Sequence, residues 1–496
     1  MRRYLTRVFR LTGRATGVQQ ANEKTVTSAP VNISVTAPSN GVEPQVEPLM
    51  GWGAETLGAW GHPDGVEPQV LVVNSLDWDT SVFRSRDWVG GHNGTLQSAL
   101  SQPFPRIIVF EVAGVIDMQD MHFIVDSEAP YITIAGQTAP NPGITLIRGQ
   151  LTLRNHDFIA QHIKIRPGGG AGGRNCFRVG WDAGDGYDVY NVLIDQCSLT
   201  WAGVSGFAMI TIRGEAVNVA HDVTVSNSII CEALKNNPPE VDAGQGTGFS
   251  TRYGSYNIAI VRNLFNNWSR NPLCAGSHGA YINNYMSGWG NQPMYGVLPD
   301  EEAAEGYTVE WSLVGNYGRA GSYSRGIFPE TSAFRGFFRG QTGVSHIYFE
   351  DNTVKWPNDV DDWLLFNSGS SSDVVVLPSP PHWHNSFDQA GLIVPSSEIR
   401  QFLESRLGAR PWDRDHIDQR IVNQAYRIGG QEPIHPSRSQ EWGNEPFVYP
   451  TTPNPVPTRT FDISEWEWHD GKQGLTEEKR VLINKATGSY AHPEDL

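Results

Sequence analysis

Cysteine, charge and long apolar runs are all scarce in this chain of 496 residues. Its four cysteines, Cys176, Cys197, Cys231 and Cys274, are too few for a disulfide scaffold. They also lack the close pairs of a zinc site, and they read as buried thiols. No stretch approaches eighteen uninterrupted apolar residues, so no membrane-spanning helix is expected. Charged residues are only 18% of the chain, and the formal net charge is −16. That balance argues against nucleic acid as a partner, because phosphate binding needs a basic face. An acidic polymer is not excluded, because charges beyond a Debye length of about 8 Å are screened and a local basic cleft can dominate.

What is abundant is glycine (52) and proline (32), with short β-branched runs between glycine and asparagine clusters. A chain this long is either several domains or an elongated repeat. The repeat is visible. Runs beginning at Tyr131, Asp157, Val192, Val223, Ile258, Gly279, Trp311 and Ile347 follow one another at spacings of 26, 35, 31, 35, 21, 32 and 36 residues. In the last six, the sixth position holds Cys197, Ser228, Asn263, Asn284, Asn316 and Asn352. A small polar side chain recurring just after a strand predicts a hydrogen-bonded ladder inside a parallel β-helix. The uneven spacing argues against a propeller, whose blades are nearly equal, and favours a helix whose loops vary in length. The expected fold is therefore all-β: a right-handed, single-stranded parallel β-helix.

Its ends differ from its middle. Residues 95–100 predict a short helix capping the stack before the buried-strand run 106–112. Residues 396–407 and 413–428 carry apolar side chains at helical spacing, with Gly408 and Gly429 as stops, and are expected to pack on the solenoid. Residues 430–496 are expected to wrap irregularly. The first 45 residues place Arg2, Arg3, Arg7, Arg10 and Arg14 among apolar residues, with no acid before Glu23 and no unbroken apolar core of a secretory signal peptide. They read as a transit peptide, a loosely held terminus or an arm docking in a protein assembly. The expected organisation is an arm over 1–45, the β-helix over 46–390 and an extension over 391–496.

Five segments carry a family likeness: 94–114 (GTLQSALSQPFPRIIVFEVAG), 132–149 (ITIAGQTAPNPGITLIRG), 192–201 (VLIDQCSLTW), 263–284 (NLFNNWSRNPLCAGSHGAYINN) and 407–422 (LGARPWDRDHIDQRIV). Over residues 50–430 the chain resembles the bacterial pectate lyases, polysaccharide lyase family one. The resemblance implies an extracellular enzyme whose partner is an acidic, polygalacturonate-like polysaccharide.

Cleaving a uronate chain by β-elimination removes the C5 proton, which is acidic only while the charge of the adjacent carboxylate is neutralised. A base and one or more cations are required. The resemblance implies that the base is the arginine of an Arg-x-Pro motif, here Arg270-Asn271-Pro272. It implies a substrate-binding role for Lys235, with Arg213 and Arg252 adding charge and Trp201 an aromatic surface. Asp195 matches an Asp-His pair whose histidine is Gln196 here, so it is expected to organise its loop. The resemblance also implies calcium, but the stretch where carboxylates are expected, 202–212 (AGVSGFAMITI), contains none. Since calcium takes six to eight oxygens, the site is expected to be weak or missing, with Asn175 standing where the family has a ligand and Asp182, Asp185, Glu240 and Asp242 of neighbouring loops as replacement ligands. A lyase using protein cations in place of calcium is a close variant. The competing class is a glycan-binding β-helix without chemistry, such as a virion or cell-surface adhesin. A hydrolase on this fold would need paired carboxylates that the sequence does not display.

Overall fold

Runs of three to six β-branched and aromatic residues, each closed by a turn, fold here as parallel strands that no single run could stabilise alone. A computed structural model describes residues 48–168, 174–180, 188–209, 219–234, 246–252, 254–289, 293–298, 300–304, 306–320, 336–355, 364–368, 374–381, 392–426, 457–469 and 479–496. The arm predicted for residues 1–45 lies outside them.

Each coil of the chain gives one strand to each of three parallel sheets, forming a right-handed β-helix. Among the described residues the first sheet has eleven strands, from Gln69–Val73 and Arg106–Phe110 through Val192–Asp195, His221–Ser226, Tyr256–Val261 and His278–Ile282 to Val374–Val376. The second runs from Ile163–Arg166 through Ser198–Thr200, Ile229–Cys231, Leu264–Asn266 and Tyr285–Ser287 to Thr353–Lys355. The third runs from Phe177–Val179 through Ser205–Met209, Thr247–Thr251, Leu273–Ala275 and Met294–Val297 to Leu364–Ser368. One long strand, Ile144–Leu153, joins the second and third sheets, its first half pairing with Ile163–Arg166 and its second with Phe177–Val179.

The predicted ladder is present. Asn284 Oδ1 accepts the Asn263 backbone N–H at 2.9 Å, Asn316 Oδ1 accepts that of Asn284 at 2.8 Å, and Asn352 Oδ1 accepts that of Asn316 at 3.1 Å. The line continues backwards through Ser228, whose N–H reaches Asn263 Oδ1 at 2.9 Å, to Cys197. These amides lie at the turn from the first sheet to the second, where strand pairing lapses and buried N–H groups would otherwise go unmatched. Replacing Asn284 with alanine strands the Asn263 N–H and frees the Ile260 carbonyl it serves. The expected loss is about 2–4 kcal/mol, at 1–3 kcal/mol per buried group left unsatisfied, read as a lower midpoint in denaturant unfolding.

A second ladder, not foreseen, runs outside the first sheet. His156-Asp157, Tyr190-Asn191, His221-Asp222 and Tyr256-Asn257 occupy the same place on successive coils. The rings stack at 4.8, 5.3 and 4.6 Å, while Asn191 and Asn257 donate to Asp157 and Asp222. His156 and His221 are tethered through Nδ1 to the carboxylate that follows each, at 2.8 and 2.6 Å.

Two of the three outer faces are covered. Helices Ser396–Glu404 and His416–Tyr426 lay Ile399, Leu403, Ile417 and Ile421 over Ile229, Leu264 and Tyr285 of the second sheet. On the first sheet, Leu49, Ala54 and Trp412 cover Ile159 and Leu193, together with Val481 and Ile483 of the antiparallel pair Trp466–His469/Val481–Asn484. That hairpin falls within residues 430–496, predicted as an irregular wrap. The third sheet carries no such layer among the described residues. The short helix appears as Leu96–Leu100, with the Thr95 side chain accepting from the Ser98 N–H. The first sheet begins one strand earlier than predicted, at Gln69–Val73, because this run has no turn signal or ladder residue to mark it as part of the repeat.

Candidate active site

Arg270 stands at the turn from the second sheet to the third, with its backbone in the left-handed region (φ 57°). Its carbonyl accepts the N–H groups of Gly248 and Phe249 at 3.1 and 2.9 Å, fixing it to the neighbouring strand. Asn271 and Asn267, both buried, lock the turn: Asn267 Nδ2 donates to Asn271 Oδ1 at 2.9 Å and to the Ile230 carbonyl at 2.7 Å, and its Oδ1 accepts the Ala233 N–H at 2.9 Å. Only glycine fits at 248, since a Cβ there would sit 2.4 Å from Asn271 Oδ1. Ala233 belongs to this same corner through that bond to Asn267, and the Leu234 N–H that follows donates to the Ala202 carbonyl at 2.7 Å. Lys235, Arg213, Asp182, Asp185, Glu240 and Asp242 lie outside the described residues.

The third sheet gathers cations in a protein of net charge −16. Register aligns Thr152, Arg178, Ala208, Ser250 and Leu273 across adjacent strands. Arg174 lies just before this row, and His122 stands on the outer strand Gly114–Val125, opposite Gln150. Burial lowers Arg178 to about 10. His122 is held near 4, by burial first and then by Arg174 and Arg178. The imidazole is therefore neutral above about pH 5, while both guanidinium groups stay charged. Arg252 is separated from Arg270. It follows Thr251, whereas the bridge Thr247–Ser269 puts Arg270 level with Gly248, so the two lie about 13 Å apart along the strand at 3.3 Å per residue.

Other sequence candidates have structural partners. Trp201 is 4% exposed, its indole N–H donating to Glu232 at 3.0 Å under the Arg166 guanidinium, so it packs beneath the C-terminal helices. Asp195, fully buried at the opposite turn, accepts from Gln161, Ser226 and Asn227 at 2.9, 2.7 and 2.8 Å, an organising role. Pro272 follows the locked Asn271.

The described donors do not fit calcium. Asn175 Oδ1 accepts the Ser205 N–H at 3.1 Å and its Nδ2 donates to Gln150 at 3.1 Å, so the side chain continues a ladder between strands. Around it stand Arg174 and Arg178, and residues 202–209 offer no carboxylate. No group of three or more His, Cys, Asp or Glu residues converges among the described residues. Hard cations take charged oxygens, and this corner holds guanidinium groups instead.

Sequence reading missed His122, Arg174 and Arg178. The segment around them, GGRNCFRV, holds two arginines flanking Asn175, but nothing in it ties them to a histidine some fifty residues earlier. Pairing between strands does that.

A parallel β-helix whose third sheet carries Arg178, has no covering layer among the described residues and is entered through a locked Arg-Asn-Pro turn is the framework of a polysaccharide-processing β-helix protein. No protein-family model matches the chain. It is 30% identical over 409 residues to a probable pectate lyase C of Neosartorya fischeri, across 81% of this chain and 82% of that one. A probable pectate lyase C of Aspergillus fumigatus is 28% identical over 409 residues, with the same shares covered. Among solved structures, the major allergen from cedar pollen matches 73% of this chain and 92% of its own at 13% identity, with a TM-score of 0.47. The chain belongs to the pectate lyase family and is a polysaccharide lyase.

Proposed function

We propose that the protein cleaves pectate, outside the cell, by β-elimination on the face of the third sheet, with Arg270 as the base. The observation that carries this reading is the rigid corner around Arg270 at the turn into the third sheet. A guanidinium accepts a proton only in its neutral form. In the reaction the base takes the C5 proton, the C5–H electron pair becomes the C4–C5 double bond, and the C4–O bond breaks. The departing oxygen leaves with a proton from solvent. The product carries a double bond conjugated to its carboxylate, so incubation with polygalacturonate is expected to raise ultraviolet absorbance. Release of reducing ends without that absorbance would mean hydrolysis, and binding without either would mean a glycan-binding protein.

Because the described donors do not fit calcium, the reading includes a metal expectation. Addition of EDTA is expected to leave most of the absorbance rate intact. Calorimetry should detect no tight calcium binding; a tight site would mean that loops such as those of Asp182 and Asp185 supply ligands.

A further inference from the structure

We propose that Asn93 is an acceptor for an N-linked glycan. The proposal rests on the reading that the protein works outside the cell, and not on the elimination chemistry. Three Asn-x-Ser/Thr sequons occur in the chain, at Asn32, Asn93 and Asn267. Asn32 lies outside the described residues. The other two differ in how the fold treats the amide nitrogen, the atom that takes the sugar.

Asn93 is exposed, on the turn that leads into the helix Leu96–Leu100. Its Oδ1 accepts from the Thr95 N–H at 3.2 Å and from the Thr95 hydroxyl at 2.8 Å. These donors fix which end of the amide faces the turn and leave Nδ2 without a partner among the described residues. The turn itself is anchored. Gly94 has a φ of 93°, its carbonyl accepts the N–H groups of Asn74 and Ser75 at 2.9 and 3.0 Å, and a Cβ there would collide with Asn74 Oδ1. Attachment at Nδ2 leaves every one of these contacts in place. Asn267 is the opposite case: it is 1% exposed, and its Nδ2 is engaged by the Ile230 carbonyl and Asn271. A glycan there would dismantle the corner that holds Arg270, so a chain carrying one cannot reach this fold.

The surface beside Asn93 gives the glycan a task. The two most exposed large apolar side chains among the described residues, Phe83 at 58% and Val89 at 95%, lie on the loop just before it. The Trp88 indole N–H donates to the Gly91 carbonyl at 3.3 Å and draws that loop toward the turn. A glycan is bulky and solubilising, and at Asn93 it shields this apolar loop from association. In the transfer, Nδ2 bonds to C1 of an oligosaccharide carried on a lipid diphosphate. The C1–O bond breaks, the lipid diphosphate leaves with its electron pair, and the amide gives up one proton to the transferase.

The test exports the full chain through a eukaryotic secretory pathway behind an added leader, with mass spectrometry of its peptides before and after peptide N-glycosidase. The Asn93 peptide is expected to carry a glycan that the enzyme removes, and the Asn267 peptide none. Asn93→Asp keeps the oxygen that accepts from Thr95 and loses the nitrogen. It should emerge without that glycan, with the thermal midpoint of the enzymatically deglycosylated wild type, and aggregate at a several-fold lower concentration than the glycosylated protein. Exported wild type with Asn93 bare, or with the glycan on Asn267 instead, would overturn the proposal. Equal aggregation of Asn93→Asp and the glycosylated protein would overturn the shielding role. A protein confined to the cytosol of its source cells would remove the extracellular reading and this proposal with it.

Discussion

Arg270→Lys is expected to reduce the rate of unsaturated product formation by about 10²- to 10⁴-fold, the range for removing a positioned acid–base group. Lysine preserves a positive charge but loses the planar fork, so a role confined to attracting a polyanion predicts a far smaller change. The backbone contacts that hold the turn, from Gly248 and Phe249 to the carbonyl of residue 270, do not depend on the side chain. The thermal midpoint should therefore stay near that of the wild type. A variant that retains most of the wild-type rate would rule out Arg270 as the base.

Asp418→Ala is expected to cause the largest loss of stability, about 3–5 kcal/mol, as when one partner of a buried ion pair is removed. Asp418 is fully buried and accepts from Arg166 Nη2 at 2.8 Å and from Ser198 Oγ at 2.5 Å. Arg166, equally buried, is also clamped by Asp415 at 2.8 and 3.0 Å. Through these contacts helix His416–Tyr426 is fastened to the second sheet. Replacing both Arg166 and Asp418 with leucine should recover part of the loss, because no buried charge is then left alone. Equal unfolding midpoints for Asp418→Ala and the wild type would contradict this account.

The same cluster sets a pH dependence. Burial opposes ionisation of Asp415, but Arg166 and Lys164 outweigh it and hold the carboxyl well below the usual range. A carboxyl depressed in the folded state contributes stability that is complete above its unfolded pKa, about 4, and fades as pH falls below that. Urea midpoints should therefore be level near neutrality and decline below about pH 4, less so in Asp415→Asn.

The sequence itself determined the repeat and the place of the Arg-Asn-Pro turn. A strand followed by one small polar side chain marks each coil locally, so Asn263, Asn284, Asn316 and Asn352 could be aligned without knowing any contact. Arg270-Asn271-Pro272 was legible for the same reason: its residues are adjacent in the chain. Residues 413–428 were legible as a helix, but not as a fastener, because Asp415 and Asp418 meet Arg166 only across about 250 residues. Tertiary structure alone decided which sheet faces the C-terminal helices and hairpin cover, that Trp201 and Asp195 are held inside, and that Asn175 is consumed by a ladder. It also brought His122 to Arg174 and Arg178. Strand pairing in a solenoid joins residues one coil apart, and loop length, which no local pattern encodes, sets how far apart they lie in the chain.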